Sequence, residues 1–243
     1  MSVIIYTLVM CHITTVFYAI YIHRGLTHST IQYHPVFEHF IRFWIWLTDG
    51  VNIPVWAIVH RKHHEYTDDI GDPHSPVVEG FWRAGIVYFF YTMVRRYNNP
   101  IEPWEQARWG YNLRYDWMER NLYQPYQRCG LFLLLAINIM LFSWWGIAAW
   151  LIQISCTPFW SNTLINGGAH LIGYQHAGTK EKDNSRNLFP IGILMAGDEL
   201  HNNHHREPWN PNQRHRWYEF DLGFVYITIF RKLGWLKLTN YKQ

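Results

Sequence analysis

An all-α fold seated in a membrane is what this sequence predicts: a bundle of about three to four transmembrane helices beneath a polar helical cap on one face. Two uncharged stretches and the placing of the basic residues carry that prediction. Residues 129 to 179 run for 51 positions without Asp, Glu, Lys or Arg, and residues 1 to 23 lack all four as well. All 21 Lys and Arg residues fall outside both stretches.

A first span is expected at about 3–21, long enough for roughly 30 Å of hydrocarbon. A signal peptide would need a basic start and a small-residue cleavage site, which this segment lacks. The segment at about 38–59 is rich in Phe, Trp and Ile but broken by Arg42, Asp49, Gly50, Asn52 and Pro54, so it reads as interfacial or re-entrant. If it crossed once, the histidines on its two sides would face opposite compartments. The long uncharged stretch fits two spans, about 131–152 and 157–177, with Ser155, Thr157 and Pro158 at the turn. By the positive-inside tendency the polar bulk, including residues 95–128 and 178–220, lies in the cytoplasm. No internal repeat or low-complexity tract divides the chain, which reads as one domain over 1–243.

A net charge of +3, without basic residues interleaved in a recognition motif, is too small to imply nucleic-acid binding, and none is expected. Cys11, Cys129 and Cys156 form no CxxC pair, so neither a disulfide framework nor a thiolate zinc site is expected. The chain is 49% hydrophobic, yet it holds 15 histidines, an excess that needs a chemical reason.

Three histidine clusters supply one: HRGLTH at His23 and His28, HRKHH at His60, His63 and His64, and HNNHH at His201, His204 and His205. Residues three and four apart share a helix face, so the second and third clusters each present convergent imidazoles. The first, spaced i and i+5, would diverge on an ideal α-helix and reads as straddling a helix end. Imidazole suits iron, zinc, copper or nickel, and a site almost without carboxylate ligands suits a high-valent iron oxidant. Asn166 and His170, one turn apart in NGGAH near the end of a span, point the same way. Polar groups at that depth serve a purpose or find a partner; helix packing by Asn166 and a satisfied His170 is the bland alternative.

In this order, HxxxxH, HxxHH and HxxHH with a membrane hairpin between the last two resemble the membrane fatty acyl desaturases over nearly the whole chain. The stretches IRFWIWLTDG, HRKHH, DPHSP, DWMERNLY, ELHNNHH and WYEFDLG are most similar to the bacterial acyl-CoA or acyl-lipid delta-nine group. The resemblance implies two irons held by His23, His28, His60, His63, His64, His170, His201, His204 and His205, with Asn166 reaching a metal through water. It implies dioxygen as co-substrate, a kinked acyl tunnel, and a bacterial inner-membrane location with the histidines on the cytoplasmic side. Spacing does not divide the nine ligands between the irons. Two departures stand out: there is room for only one span before His23, and Gly71 stands where an acidic residue is frequent.

Metal-bound histidines commonly donate their second ring nitrogen to a carboxylate or carbonyl. Asp68, Asp69, Asp72, Asp198 and Glu199 lie near enough to serve, Asp198 and Glu199 foremost. His74 reads as a non-ligand beside the site, and His12, His34, His39, His176 and His215 as non-ligands without a partner at ligand spacing. Trp56, one turn before His60, is a candidate tunnel wall or belt residue; Arg61, Lys62 and Arg206 are candidates for an anionic carrier or headgroup, or for snorkelling.

An unactivated methylene offers no acidic proton, so a metal-bound oxidant must drive desaturation. The expected substrate is an acyl chain on coenzyme A, acyl carrier protein or a lipid, and the expected bond is a cis double bond of the delta-9 type. Two electrons must come from an external protein of ferredoxin, rubredoxin or cytochrome b type, since no haem, flavin or ferredoxin motif is fused. A hydroxylase or acetylenase is the sibling alternative, and a non-redox metal-binding or transport protein the remote one.

Overall fold

The computed structural model describes residues 2–95, 100–190 and 193–239. Residues 96–99, within the expected cap segment, lie outside this description. The described chain is mostly helical, as expected. One element breaks the all-α expectation, a two-stranded antiparallel ribbon of β1 (Ile31–Tyr33) and β2 (Leu236–Leu238). It ties the C-terminal segment to the end of the first helix through the Ile31–Leu238 and Tyr33–Leu236 pairs.

Helix α1 runs unbroken over Val3–Thr27, its first 15 residues in α register and Tyr18–Thr27 in the wider π register. Ser2 caps it by accepting from the Ile4 amide. Among the described residues it is the one helix long and apolar enough to cross a membrane by itself. The segment expected to be interfacial is two helices, α2 (Pro35–Thr48) and α3 (Ile53–Tyr66), separated by Gly50 at φ +66° and restarted by the Asn52 side chain, which accepts from the Val55 amide. Next come α4, Trp82–Val87 in π register continuing as Tyr88–Arg95, and α5 (Pro103–Trp109).

The uncharged stretch does form a helical hairpin, but its turn corrects the expected one. Helix α6 (Cys129–Phe142) stops at Ser143, which adopts φ +55°. Helix α7 then runs from Trp145 through Pro158, changes to π register over Phe159–Gly167, and ends in a tight turn at Gly168–His170. Ser155, Thr157 and Pro158 therefore sit inside a helix. Proline removes one backbone donor and crowds the preceding turn, and here the register widens directly after it.

Close backbone approach sets the packing of these helices. A Cβ on Gly130 would lie 2.1 Å from the Trp46 carbonyl oxygen on α2, and one on Gly146 2.2 Å from the Asn138 carbonyl oxygen across the hairpin. Between the helices, the Tyr6 hydroxyl donates to Asn138 at 2.8 Å and the Asn138 amide donates to Gln153 at 2.7 Å. Leu8 and Val9 of α1, Phe132 and Met140 of α6, and Leu151 and Ile152 of α7 are exposed, an apolar girdle around this bundle.

Two short helices complete the cap: α8 (His201–Arg206) and α9 (Leu222–Lys232), the latter capped by Asp221 on the Phe224 amide. Buried Arg24 fastens the end of α1 to this region. Its guanidinium donates to Asp221 at 2.9 Å, to the Pro211 carbonyl at 2.9 Å and to the Ala196 carbonyl at 2.6 Å. A Cβ on Gly197 or Gly223 would meet that guanidinium at 2.2 or 2.9 Å, so both positions need glycine.

Candidate metal centre

Nine imidazoles from separate stretches meet in two groups. His23, His28, His60, His64 and His204 form one; His63, His170, His201 and His205 form the other. Within each group the ligand-type nitrogens all lie within 4.8 Å of one another. Helical geometry explains the division that spacing alone left open. His60 and His64, i and i+4 on α3, turn to the first group while His63 turns to the second; on α8, His201 and His205 turn to the second and His204 to the first.

The i, i+5 spacing of the first cluster also finds its reason. A π-helix closes its hydrogen bonds between residues five apart, and the His28 amide donates to the His23 carbonyl at 3.3 Å at the end of that register in α1. Both rings thereby serve one group, with centroids 5.3 Å apart. The π segment of α7 likewise delivers Asn166 and, after the tight turn, His170.

Carboxylates hold the outer ring nitrogens. Asp198 lies 2.9 Å from His23 Nδ1, Asp72 2.9 Å from His63 Nδ1, Asp68 2.8 Å from His170 Nδ1 and Asp183 3.4 Å from His205 Nδ1. Asp68, Asp72 and Asp198 were expected in this role. Glu199 was too, but it touches no histidine of the two groups: its Oε2 accepts from the Gly197 amide at 3.0 Å, and burial pushes its carboxyl up to about 8. Asp69 instead pairs with Lys182. Asp183 went unforeseen, because it lies 22 residues before His205 with no helical periodicity linking them. Asp72 is itself fixed by the Asp68 and His74 amides, at 2.8 and 3.0 Å.

With Nδ1–H committed to a carboxylate, the inner Nε2 carries a bare lone pair. The Nε2 atoms of each group converge: those of His23 and His64 lie 2.9 and 2.8 Å from His204 Nε2, and that of His170 lies 3.0 Å from His201 Nε2, with the tautomers of His64, His201 and His204 set by no carboxylate. His28 Nε2 is buried without a hydrogen-bond partner among the described residues. Burial and the neighbouring rings push His60, His64, His201, His204 and His205 well below the ordinary imidazole range, so they are neutral. At His63 burial acts the same way, but the Asp72 carboxylate outweighs it and raises the ring. Imidazole nitrogens gathered this closely can hold a cation in place of a shared proton, and neutral imidazoles backed by carboxylates fit iron.

A narrow cleft opens onto both groups, lined by His23, His60 and His201 together with Tyr18, Trp56 and Asn166. Trp56 stacks on His60 with centroids 4.7 Å apart and an 11° interplanar angle. The Asn166 carboxamide, 6% exposed, makes no hydrogen bond among the described residues and lies in the cleft wall. Free volume in the cleft is about 30 Å³, roughly one water molecule's share of liquid.

The remaining histidines take other roles. His74 stacks on His63 at 4.5 Å and is held to about 3 by burial. His12 meets the Tyr226 hydroxyl at 2.7 Å, His176 meets Glu219 at 3.0 Å and His215 lies 3.4 Å from Glu207, while His34 and His39 are exposed. Arg61, weighed above for an anionic partner, is instead buried: its guanidinium donates to the Leu26, Thr27, Trp109 and Tyr111 carbonyls, bracing the backbone before His28. Lys62 pairs with Glu105. Arg206 lies beside Gly178 and makes no hydrogen bond among the described residues.

Comparison with known proteins agrees with this constellation. The family model for fatty acid desaturases matches residues 1–227. The chain is 31% identical over 221 residues to a delta-9 desaturase-like protein of Arabidopsis thaliana, covering 87% of this chain and 68% of that one. It is 28% identical over 224 residues to a delta-9 acyl-lipid desaturase of the same plant, covering 87% and 66%. It is 30% identical over 219 residues to an acyl-CoA 5-desaturase of Anemone leveillei, covering 87% and 63%. These relatives are plant proteins and lend no support to a bacterial source. The chain belongs to the fatty acid desaturase family, as an oxidoreductase acting on fatty acyl chains.

Proposed function

We propose that this protein introduces a double bond, of the cis delta-9 type, into an acyl chain lying in the cleft beside two irons held by the two histidine groups. The observation that carries the reading is the convergence of two groups of imidazole nitrogens beside an aromatic-walled cleft. When bound, the irons would supply oxidising power from dioxygen: two hydrogens leave adjacent carbons and, with two electrons from an external donor protein and two protons, end as two waters. The chain's own residues do the rest. Asp68, Asp72, Asp183 and Asp198 fix ring orientation and keep Nε2 free for metal. Asn166 holds a water toward the second group, and Trp56 and Tyr18 align one pair of methylenes, which decides the bond formed. Admitting an acyl chain requires the cleft to widen from about 30 Å³, and closing on the chain excludes bulk water.

The Lys and Arg distribution supports seating the histidine groups at the cytoplasmic face, with α1 and the α6–α7 hairpin in the bilayer. Relatives named for acyl-CoA and for acyl-lipid substrates support an acyl chain without choosing its carrier. Expression in a host lacking unsaturated lipids, followed by mass spectrometry of the acyl chains, tests the reading: the expected product is an alkene whose position is fixed, abolished in His63→Ala. A hydroxylated or acetylenic product would assign a sibling reaction, and full activity in His63→Ala would overturn the site.

A further inference from the structure

An open groove of about 620 Å³ runs between the first turn of α2 and the end of α9, walled by Val36, Phe37 and Phe40 on one side and by Leu233 and Trp235 on the other. Its level in the molecule follows from α1. Phe17, inside the expected first span and six residues before His23, meets Phe37 and Phe40 with ring centroids 6.2 and 5.9 Å apart. His12, deeper in the same span, meets the Tyr226 hydroxyl of α9 at 2.7 Å. Both walls therefore lie against the span, toward its histidine end. On α2 the charges are arranged in reverse of a water-facing helix: Glu38 and Arg42 are buried, while Val36, Phe40 and Phe43 are exposed. Val225 and Ile229 of α9, with Leu233 one turn on, are exposed as well. Outward apolar faces at this level have the character of a surface resting in lipid.

The border of the groove is one-sided in charge. From residue 222 to residue 243 the sequence holds four Lys or Arg and no Asp or Glu. Arg231, Lys232 and Lys237 among these are exposed, and their side chains make no hydrogen bond or ion pair among the described residues. Arg231 and Lys232 close the last turn of α9, where cations suit the helix dipole. Lys237 stands on β2, where no dipole calls for one. The three flank Leu233 and Trp235 along the chain, so an apolar groove at membrane level carries a rim of free cations. A ligand with a hydrocarbon chain and an anionic head satisfies both. We infer that the groove holds an acyl tail of an anionic phospholipid, whose headgroup lies on Arg231, Lys232 and Lys237. Basic clusters beside membrane-seated helices attract anionic lipid, whereas a zwitterionic choline headgroup brings a cation of its own to the rim. The site rests on the membrane seating proposed above and is independent of the reaction.

Metal-loaded protein in detergent micelles doped equally with phosphatidylglycerol and phosphatidylcholine of matched acyl chains, read by native mass spectrometry, tests this. The expected result is one phosphatidylglycerol retained per chain, about tenfold over phosphatidylcholine. The joint variant Arg231→Gln, Lys232→Gln, Lys237→Gln should retain the two lipids alike, and Val36→Asn should lower retention of both. All four positions are exposed, so the fold does not depend on them. Alike retention by the unaltered chain, or an unchanged preference in the joint variant, would overturn the cationic rim. Unchanged retention in Val36→Asn, or equal retention of soluble glycerol phosphate, would overturn the tail in the groove. A lipid-free dimer would give the groove to a second copy instead. Carbonate washing of membranes tests the seating separately: a chain that washes off fails there, and one that stays without lipid preference fails only at this site. Acyl products play no part in either readout.

Discussion

Asp72 shows how a single side chain outside the ligand set can govern a metal group. It accepts the His63 ring proton on both oxygens at 2.9 Å and is itself braced by two backbone amides. Asp72→Asn keeps the shape but offers a competing donor to Nδ1, so metal retention by the second group should weaken about 10- to 100-fold, the usual effect of losing such a partner; competition with a graded chelator reads this directly. Arg42 and Asp116 make a different kind of pair. Arg42 donates at 2.5 and 2.8 Å, which holds the Asp116 carboxyl well below its ordinary range despite some burial. A depressed carboxyl stabilises the fold above its unfolded pKa of about 3.9 and loses that contribution as pH falls toward the folded value. Asp116→Asn should therefore cost about 0.5–1 kcal/mol at pH 7, modest because Asp116 is part exposed, and the wild-type advantage in thermal midpoint should shrink between pH 5 and pH 3. At this scale the histidine clusters, Asn166, Asp68, Asp72 and Asp198 were legible because helical periodicity and sequence nearness select them. Asp183 and the partition of the nine rings were not, since both depend on how α3 and α8 face each other.

Elements decide the rest through register and close approach. Gly130 lets α6 lie against α2, and Gly130→Ala would put a methyl 2.1 Å from the Trp46 carbonyl oxygen and 2.9 Å from Leu47 Cα. Neither neighbour is a yielding side-chain end, so a loss of about 1–3 kcal/mol is expected, read as a lower thermal midpoint in detergent with the metal content of the folded fraction unchanged. The uncharged stretch announced a hairpin, yet its true turn at Ser143 has no Gly or Pro to mark it, and the turn residues that do stand out, Ser155 to Pro158, are absorbed where α7 widens. The π registers were equally hidden. A five-residue histidine spacing reads as divergent on the commoner helix and becomes convergent only when α1 closes its last bonds five residues back. The β1–β2 ribbon escaped notice for a related reason: three-residue strands separated by some 200 positions carry no period of their own.

For the molecule as a whole, the histidine groups are where separate parts of the chain are held together. The first group draws on the end of α1, on α3 and on α8; the second on α3, the end of α7 and α8. Without a cation, the neutral rings are tied across the elements only by tautomer-dependent N–H···N contacts at 2.8–3.0 Å, a weaker tie than coordination, so every element that contributes a ring is looser. A ligand bound only by the folded state adds RT ln(1 + [L]/Kd), about 4 kcal/mol at a thousandfold excess over Kd. Chelator-stripped protein should therefore unfold several degrees below the ferrous-loaded form. Hydrogen-exchange protection should fall together in α3, α8 and the ends of α1 and α7, while α6, which contributes no ligand, keeps its protection. Anaerobic reloading with ferrous ion should restore both, and zinc should restore them as well, because the staple depends on coordination and not on redox chemistry. Loss of protection confined to α8 would mean that the cap alone, and not the assembled bundle, depends on the metal.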